Sequence, residues 1–595
     1  MRRVALLLCL ILGVVAPLAA LDAYPKTTLA EDGTATWCQY CPQAYAGLDV
    51  VHSNYNCGEF LSARYYETSG GLGTAETDAA LAYYGIGGFP TVVFNGLIKV
   101  VGGGAGIASG GPYLSIVGAA YFDPAPIRIE IDSFDPASGD IQATVTMYSE
   151  TEVLAADHIR FLLLEDHVWY TDPSQGTHEH FHVTRDIIND TITLSGAGNT
   201  AVFNTSFDVD PSWVTANLHA VVFVQRAADK EVLQAVSTFP EPDYTVRAIV
   251  PFSRMKMGPS SGSYSSPHFT VTNTGLADTF TINVLVDDGP PSWNINYCDG
   301  NGTCHIGEWS FDLGLDGSIE FYANVTPDSP GYMRYYFEIT SPNLTSPLVI
   351  PFTYTTDDAN VLIVDDDGAE DYENYYTAAL DTLGLSYGMW DRSFTDSELT
   401  TEVLQAYRLL IWEAGLNYPT LDPEDRDFLS QHLENGGSLF LTGQDIGWEL
   451  NYSSSGNYDP AWYHTYLHAN WVNDDTNIYW LDGVAGDPIT DGMDLHIQGG
   501  DGANNQEYPD AIAPRDADAT TILSYRSSSY KGAIRATDST SGARVVYLGF
   551  GYEAIDNPQG RADLLGRALE WMGVNELFVD GFESGDTSMW SVTVP

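Results

Sequence analysis

The period of the hydrophobic pattern changes along this chain, and no single fold accommodates all of its periods. Residues 21–122 mix short apolar runs, helical spacing and glycine turns. From Ile127 a strict alternation takes over. Ile127, Ile129 and Ile131 fall on one side and Arg128, Glu130 and Asp132 on the other, as in a half-buried strand. Similar runs recur at 141–148, 159–164, 202–209 and 218–225, which predicts an all-β sandwich over 127–240. A second all-β stretch, 243–357, has its clearest strands at 269–273, 279–286, 318–325 and 335–340. Its short strands and Pro/Gly/Ser turns suggest an immunoglobulin-like sandwich. At Asn360 the pattern changes again. Val361-Leu362-Ile363-Val364 is an unbroken apolar run of the buried parallel type, and helical and strand-like segments then alternate as far as Trp571. That order predicts a parallel sheet with helices on both faces over 358–575. A chain of 595 residues is long enough for about three to five such domains.

The two ends differ from the rest. Arg2 and Arg3 precede an apolar stretch, Val4 to Ala16, that is too short to span a bilayer. Pro17-Leu18-Ala19-Ala20 then offers a small-residue cleavage site. This predicts a secretory signal peptide over 1–20, and no later apolar run has spanning length. The expected location is extracytoplasmic: secreted, periplasmic or at the cell surface. Residues 576–595 read as a polar tail. Its Phe582-Glu583-Ser584-Gly585-Asp586 looks like a short tail found on other secreted bacterial proteins.

Charge excludes one class of partner. With 80 acidic residues, 24 basic ones and a formal net charge of −56, the chain repels phosphate backbones, so nucleic acid is not expected as a ligand. Two readings of the acidity stand: solubility in a medium whose salt screens the repulsion, or calcium sites. Asp365-Asp366-Asp367-Gly368, followed by Glu370, Asp371 and Glu373, is the densest acidic run. It is either a calcium or magnesium site, with Asp365, Asp366 and Asp367 as ligands, or a solvated acidic loop. Its spacing is not that of an EF-hand. His178, His180 and His182 also alternate. On a strand they would share a face and could bind metal, while in a loop they are ordinary polar residues.

Cysteine usage points to chemistry. Trp37-Cys38-Gln39-Tyr40-Cys41-Pro42 places two thiols two residues apart at the start of a helical segment. A helix N-terminus stabilises a thiolate there, and the second cysteine resolves a mixed disulfide. Pro42 fits the first turn, where its missing N–H is not needed. A structural zinc site would require further ligands, and there is no second Cys-x-x-Cys. Cys298 and Cys304 bracket a turn-rich loop that a disulfide would close. Cys57 is left over, either as a buried thiol or as a third participant in exchange.

The Cys38–Cys41 segment resembles the thioredoxin superfamily. Gly88-Phe89-Pro90-Thr91, which precedes a strand, is similar to that family's cis-proline loop. The resemblance implies that Pro90 is cis, faces Cys38 and flanks an extended substrate. It also gives Asp32 the place of the family's buried acid, which moves protons to or from Cys41; a surface carboxylate at a strand end is the other reading. The catalytic set implied is thus Cys38 and Cys41 with Trp37, Pro90 and Asp32, and the partners are protein thiols or disulfides. Over about the first 240 residues the chain resembles outer-membrane-type surface proteins that open with such a module. Glu31-Asp32, Thr36-Trp37-Cys38, Tyr40-Cys41-Pro42, His182-Val183-Thr184-Arg185 and Val232-Leu233-Gln234-Ala235 carry this likeness. Residues 358–575 resemble the class I glutamine amidotransferase-like fold, which has a flavodoxin-like sheet. That family's cysteine sits on a strand-to-helix turn, here Leu441-Thr442-Gly443-Gln444-Asp445-Ile446-Gly447. No cysteine occurs in 358–575, so amidotransferase chemistry is not expected. Two functions follow. One is a thiol–disulfide oxidoreductase module on a multi-domain extracytoplasmic protein. The other is a non-catalytic surface binder or scaffold, with a static Cys38–Cys41 bond and a cell-surface ligand.

Overall fold

A computed structural model describes residues 23–250, 253–368, 370–392 and 399–574. The expected signal peptide and polar tail lie outside the described residues. The chain is multi-domain and rich in strands, and it divides into two compact units, Met1–Asp243 and Tyr244–Pro595.

The first unit begins with β1 (Thr28–Thr34), α1 (Cys41–Asn54), β2 (Phe60–Tyr66), α2 (Ala75–Tyr84), β3 (Thr91–Phe94) and β4 (Ile98–Val101). β1 runs parallel to β2 and antiparallel to β3. β3 and β4 form a hairpin at Asn95-Gly96, both in the left-handed region, as such a turn requires. Two short helices follow, α3 (Ala105–Ala108) and α4 (Gly111–Ala120), separated at Gly110, whose φ is 85°. Leu48 and Val51 of α1 and Tyr113 and Val117 of α4 cover one face of the sheet. Ala80, Leu81 and Tyr84 of α2 cover the other.

The next strands are β5 (Ile127–Phe134), β6 (Asp140–Met147), β7 (Val153–Glu165), β8 (Val168–Asp172), β9 (Gly176–His180), β10 (Val183–Ser195), β11 (Thr200–Ser206), β12 (Leu218–Gln225) and β13 (Val232–Ser237). The expected separation of 21–122 from 127–240 is not what the structure shows. β13, β12, β7 and β10 continue the first sheet into one eight-stranded sheet, in the order β13-β12-β7-β10-β2-β1-β3-β4. The seam is the parallel contact of Val183 with Arg64, where the Arg64 N–H donates to the His182 carbonyl at 2.9 Å. The physical reason lies in burial on both faces. Leu162 and Leu164 pack on the α2 side, while Phe161 and Leu163 pack against the three-stranded sheet β11-β6-β5. The stretch at 123–126 is pinned rather than free: Ala125 is fully buried and pairs with Tyr24.

In the second unit, residues 246–356 form two sheets. One contains Val246–Ile249, Phe269–Asn273, Ser318–Thr326 and Asn294–Asp299, and the other Met255–Gly258, Leu348–Thr356, Tyr332–Thr340, Asp278–Asp288 and Trp309–Leu313. A disulfide joins Cys298 to Cys304 across a tight hairpin, where the Asp299 carboxylate accepts the N–H groups of Asn301 and Thr303. A parallel core follows: β14 (Val361–Asp365), α5 (Glu373–Leu383), β15 (Tyr387–Asp391), β16 (Leu409–Glu413), α6 (Pro423–Glu434), β17 (Ser438–Thr442), α7 (Ile446–Asn451), β18 (Arg544–Leu548) and α8 (Pro558–Met572). The spatial order is β15-β14-β16-β17-β18 with all neighbours parallel. Ile363 and Ile411 pack with α5 and α8, while Leu362, Val364 and Leu410 pack with α6. Burial on both faces is why these strands read as continuous apolar runs. Between β17 and β18 the chain adds an antiparallel extension that includes Ala519–Tyr525 and Lys531–Thr537.

Candidate functional site

Cys38 and Cys41 are joined by a disulfide, with their Cα atoms 5.5 Å apart. Cys41 opens α1 and Pro42 follows it in the first turn, while Cys38 lies in the loop before the helix rather than within it. The Cys41 N–H donates to Cys38 Sγ at 3.2 Å, so a first-turn amide left free by helix geometry is aimed at this sulfur. Both cysteines are buried, but Trp37 and Tyr40 beside them are 45% and 52% exposed. The Phe89–Pro90 bond is cis, and Phe89 packs against the cluster of Ala35, Cys38 and Cys41. Its ring also meets that of Trp37 at 5.9 Å. Pro90 is buried, and its carbonyl accepts the Gly102 N–H.

Asp32 is not a surface carboxylate. It is fully buried on β1, and neither oxygen has a hydrogen-bond partner. Burial raises its pKa to about 7 against the opposing pull of Arg64. Arg64 lies over the Tyr45 ring at 4.1 Å, and Tyr45 packs against the two cysteines. The neighbouring Glu31 points to the opposite face, where it accepts from the Tyr65 and Tyr84 hydroxyls.

Two elements near this site were not expected from the sequence. The β8–β9 hairpin reaches the cysteine loop: Asp172 accepts from the Thr36 hydroxyl at 3.0 Å, and Gln175 donates to the Trp37 carbonyl at 3.4 Å. The hairpin also carries Trp169, which is 67% exposed. Asp172-Pro173-Ser174-Gln175-Gly176 is a turn signal that could have revealed it. Gly103 makes the second close approach, since a Cβ there would lie 2.6 Å from the Tyr40 carbonyl. Cys57 is a free, half-buried thiol whose pKa is raised by burial and by Glu241 and Asp166, so it is a poor nucleophile.

The three histidines separate instead of sharing a site. His178 meets the Gln175 carbonyl, His180 the Tyr66 hydroxyl, and His182 Ser62. His182 stands outside β9, with φ at 53°.

In the α/β portion, the three consecutive aspartates do not act together. Asp366 turns to the α6 side, where it accepts from Trp412 Nε1 at 3.0 Å and Asn417 at 3.2 Å. Alternation at a strand end sends successive side chains to opposite faces, so Asp365 and Asp367 are grouped with Glu413 instead. The sequence signal for Glu413 was present: Leu409-Leu410-Ile411-Trp412-Glu413 ends in an acid just as Val361-Leu362-Ile363-Val364-Asp365 does. Thr442 is structural. Its hydroxyl donates to the Phe550 carbonyl and accepts the Tyr552 N–H. The strained position of that turn is Asp445, with φ at 65°, where burial and nearby Asp474 raise its pKa to about 7.

No known family matches the sequence, and no curated protein matches it. Among solved structures, HBP35 of Porphyromonas gingivalis aligns over 56% of this chain and 99% of its own, at 14% identity and a TM-score of 0.30. The N-terminal domain of PorA aligns over 19% of this chain and 97% of its own, at 9% identity and 0.15. A conjugative transposon lipoprotein from Bacteroides eggerthii aligns over 19% and 96%, at 12% identity and 0.14. Likenesses this distant carry no argument about function. Among the described residues no helix is long and apolar enough to cross a membrane.

Proposed function

We propose that the first unit is a thioredoxin-like thiol–disulfide exchange module, carried extracytoplasmically on a chain whose other portions present it to a target. The observation that carries this reading is the Cys38–Cys41 pair at the N-terminus of α1 with the buried cis-Pro90 turn whose Phe89 packs on it; the buried, unpartnered Asp32 is the acid that the thioredoxin resemblance adds to it. In exchange, the Cys38 thiolate attacks a partner disulfide and expels one partner thiolate. Cys41, once deprotonated, attacks Cys38 Sγ of the mixed disulfide, closes the Cys38–Cys41 bond and releases the second partner thiol. The thioredoxin resemblance assigns the Cys41 proton to Asp32, whose burial and raised pKa suit that role. Trp37 and Tyr40, exposed beside the cysteines, suit contact with an unfolded or extended partner.

The two disulfides suit an oxidising compartment, which supports the extracytoplasmic placement. The order β15-β14-β16-β17-β18 is that of a flavodoxin-like sheet, and the two sheets at 246–356 suit an immunoglobulin-like sandwich. With no cysteine at the β17–α7 turn, binding rather than amide transfer is the role proposed for the second unit.

The test is the reduction potential of the Cys38–Cys41 pair in the full chain. It is equilibrated against glutathione and read by alkylation and mass spectrometry, so that Cys298–Cys304 is scored separately. A value between about −270 and −120 mV, with mixed disulfides trapped by Cys41→Ser, supports exchange. A value below about −300 mV marks a static bond and favours the scaffold.

A further inference from the structure

We propose that Asp365, Asp367 and Glu413 hold a calcium ion at the carboxyl ends of β14 and β16. This proposal is independent of the exchange reading. Asp365 and Glu413 are direct register partners on adjacent parallel strands. One carboxylate oxygen from each of the three residues lies within 4.8 Å of the others. Calcium–oxygen distances of about 2.3–2.6 Å let a single ion touch all three.

The second observation is Glu413 itself. It is fully buried, and no N–H or hydroxyl donor reaches either of its oxygens. The group beside it is the Asp367 carboxyl, so acceptor faces acceptor unless a cation or a proton intervenes. The charges that act on Glu413 most strongly are those of Asp365, Asp367 and Glu553, all negative. Two arginines of this region are committed elsewhere: Arg334 pairs with Glu373 at 2.7 Å, and Arg392 with Asp425 at 2.8 Å. Buried carboxylates this close together must share a proton or a counter-charge, and one divalent cation satisfies oxygens from all three at once. Asp367 is already oriented, with Oδ2 accepting the Tyr372 N–H at 3.0 Å.

The position in the fold agrees. α5, which follows β14, packs on one face of the sheet, whereas Val403, which precedes β16, packs on the other. The strands β14 and β16 therefore flank the point where the winding reverses, and ligands of open α/β sheets bind outside the carboxyl ends of the strands at that point. Burial selects among hard cations. Asp365, Asp367 and Glu413 are 8%, 5% and 0% exposed. Magnesium retains several waters, whereas calcium takes a protein-rich oxygen shell of variable geometry.

The experiment uses the full chain, stripped with a chelator and dialysed. Bound metal is measured by equilibrium dialysis, and thermal unfolding is followed in calcium chloride against sodium chloride of matched ionic strength. We expect one tightly held calcium and a Tm several degrees above the sodium control. Glu413→Gln and Asp367→Asn should each lose that equivalent and that rise. Equal binding by the wild type and both variants would place the ion elsewhere on this acidic chain and overturn the proposal. Magnesium displacing calcium at equal concentration would overturn the choice of ion. Failure of the wild type to bind, with Glu413→Gln melting higher than wild type in either salt, would show a proton-sharing pair instead. If neither variant folds, hydrogen exchange in wild-type 361–367 and 409–413 decides: protection gained with calcium is expected, and none refutes the site.

Discussion

Replacing Asp32 with asparagine should remove the pH dependence of stability that this one group imposes on the first unit. Its carboxyl has a pKa of about 7 in the folded chain against 3.8 ordinarily. Between those values the folded state holds a proton that the unfolded state has released. Stability therefore falls as pH rises through that window and levels off above pH 7. At about 1.4 kcal/mol per unit, the group costs about 2 kcal/mol at pH 5 and about 4 kcal/mol at pH 8. Asparagine does not titrate, but its amide is buried without a partner, at a cost of about 1–3 kcal/mol at every pH. The absolute gain at pH 8 is thus about 1–3 kcal/mol, while the wild type and variant come close together at pH 5. The sharper quantity is the change in their difference between pH 5 and 8, about 2–3 kcal/mol, from which the constant amide cost cancels. The groups that face Asp32 do not confuse the comparison. Tyr45 and Tyr113 are pushed well above the ordinary tyrosine range and Tyr66 to about 12, while the Arg64 pKa is raised further. None of these titrates between pH 5 and 8. Urea unfolding of the oxidised full chain at half-unit pH steps is the assay, with the first-unit transition followed by tryptophan fluorescence. Parallel wild-type and variant profiles would refute the reasoning, because they would mean that Asp32 titrates as a solvated acid. The same variant should slow mixed-disulfide resolution if Asp32 takes the Cys41 proton.

Three further outcomes are expected. Burial lowers the pKa values of His52 and His182 to about 3, and Ser62 bridges their rings at 2.8 and 2.9 Å. Here the unfolded state binds the proton first, so stability falls as pH drops below about 6.5, by about 3 kcal/mol per histidine at pH 4.5. His52→Gln/His182→Gln should flatten that limb of an acid-unfolding curve, and an unchanged midpoint would count against the assignment. Gly96→Ala should destabilise by about 2–4 kcal/mol, because φ is 77° and the new Cβ would sit 1.8 Å from the Lys230 carbonyl. Gly85→Ala, with φ at 65° and open space around it, should cost only about 1 kcal/mol in the same denaturation assay.

Local pattern revealed the elements better than their assembly. Leu218–Gln225 and Phe269–Asn273 appear at the expected residues, because their burial and bounding turns are local properties. The fusion of two expected domains into one sheet was not legible. It depends on β10 joining β2 at a single register contact between residues 119 positions apart in sequence. The run Phe161-Leu162-Leu163-Leu164 did carry the hint, since an exposed sandwich face would have required polar residues at every second position. At the cysteine site the motif was visible, but the state of Asp32 was not, because it is set by burial in the folded sheet and by the opposing charge of Arg64 from β2. At the acidic site the sequence grouped three neighbours, whereas the fold joins two of them to a residue 46 positions beyond Asp367.

The two buried acidic sites differ in what can neutralise them, and this separates their chemistry. Asp32 lies near one cation, Arg64, which opposes burial and leaves the carboxyl near neutrality. Such a group gains and loses a proton at ambient pH, which suits a step that must move protons. Glu413 and Asp365 are surrounded by further carboxyls, and repulsion adds to burial instead of opposing it. A proton can silence one such group but supplies only a single charge, and it leaves the remaining oxygens facing one another. A divalent ion neutralises two charges and accepts several oxygens at once. In a chain with a net charge of −56, solvent and salt suffice for acids at the surface. They do not reach a fully buried Glu413. Acidity of the whole chain therefore does not explain this cluster, whereas a resident cation does.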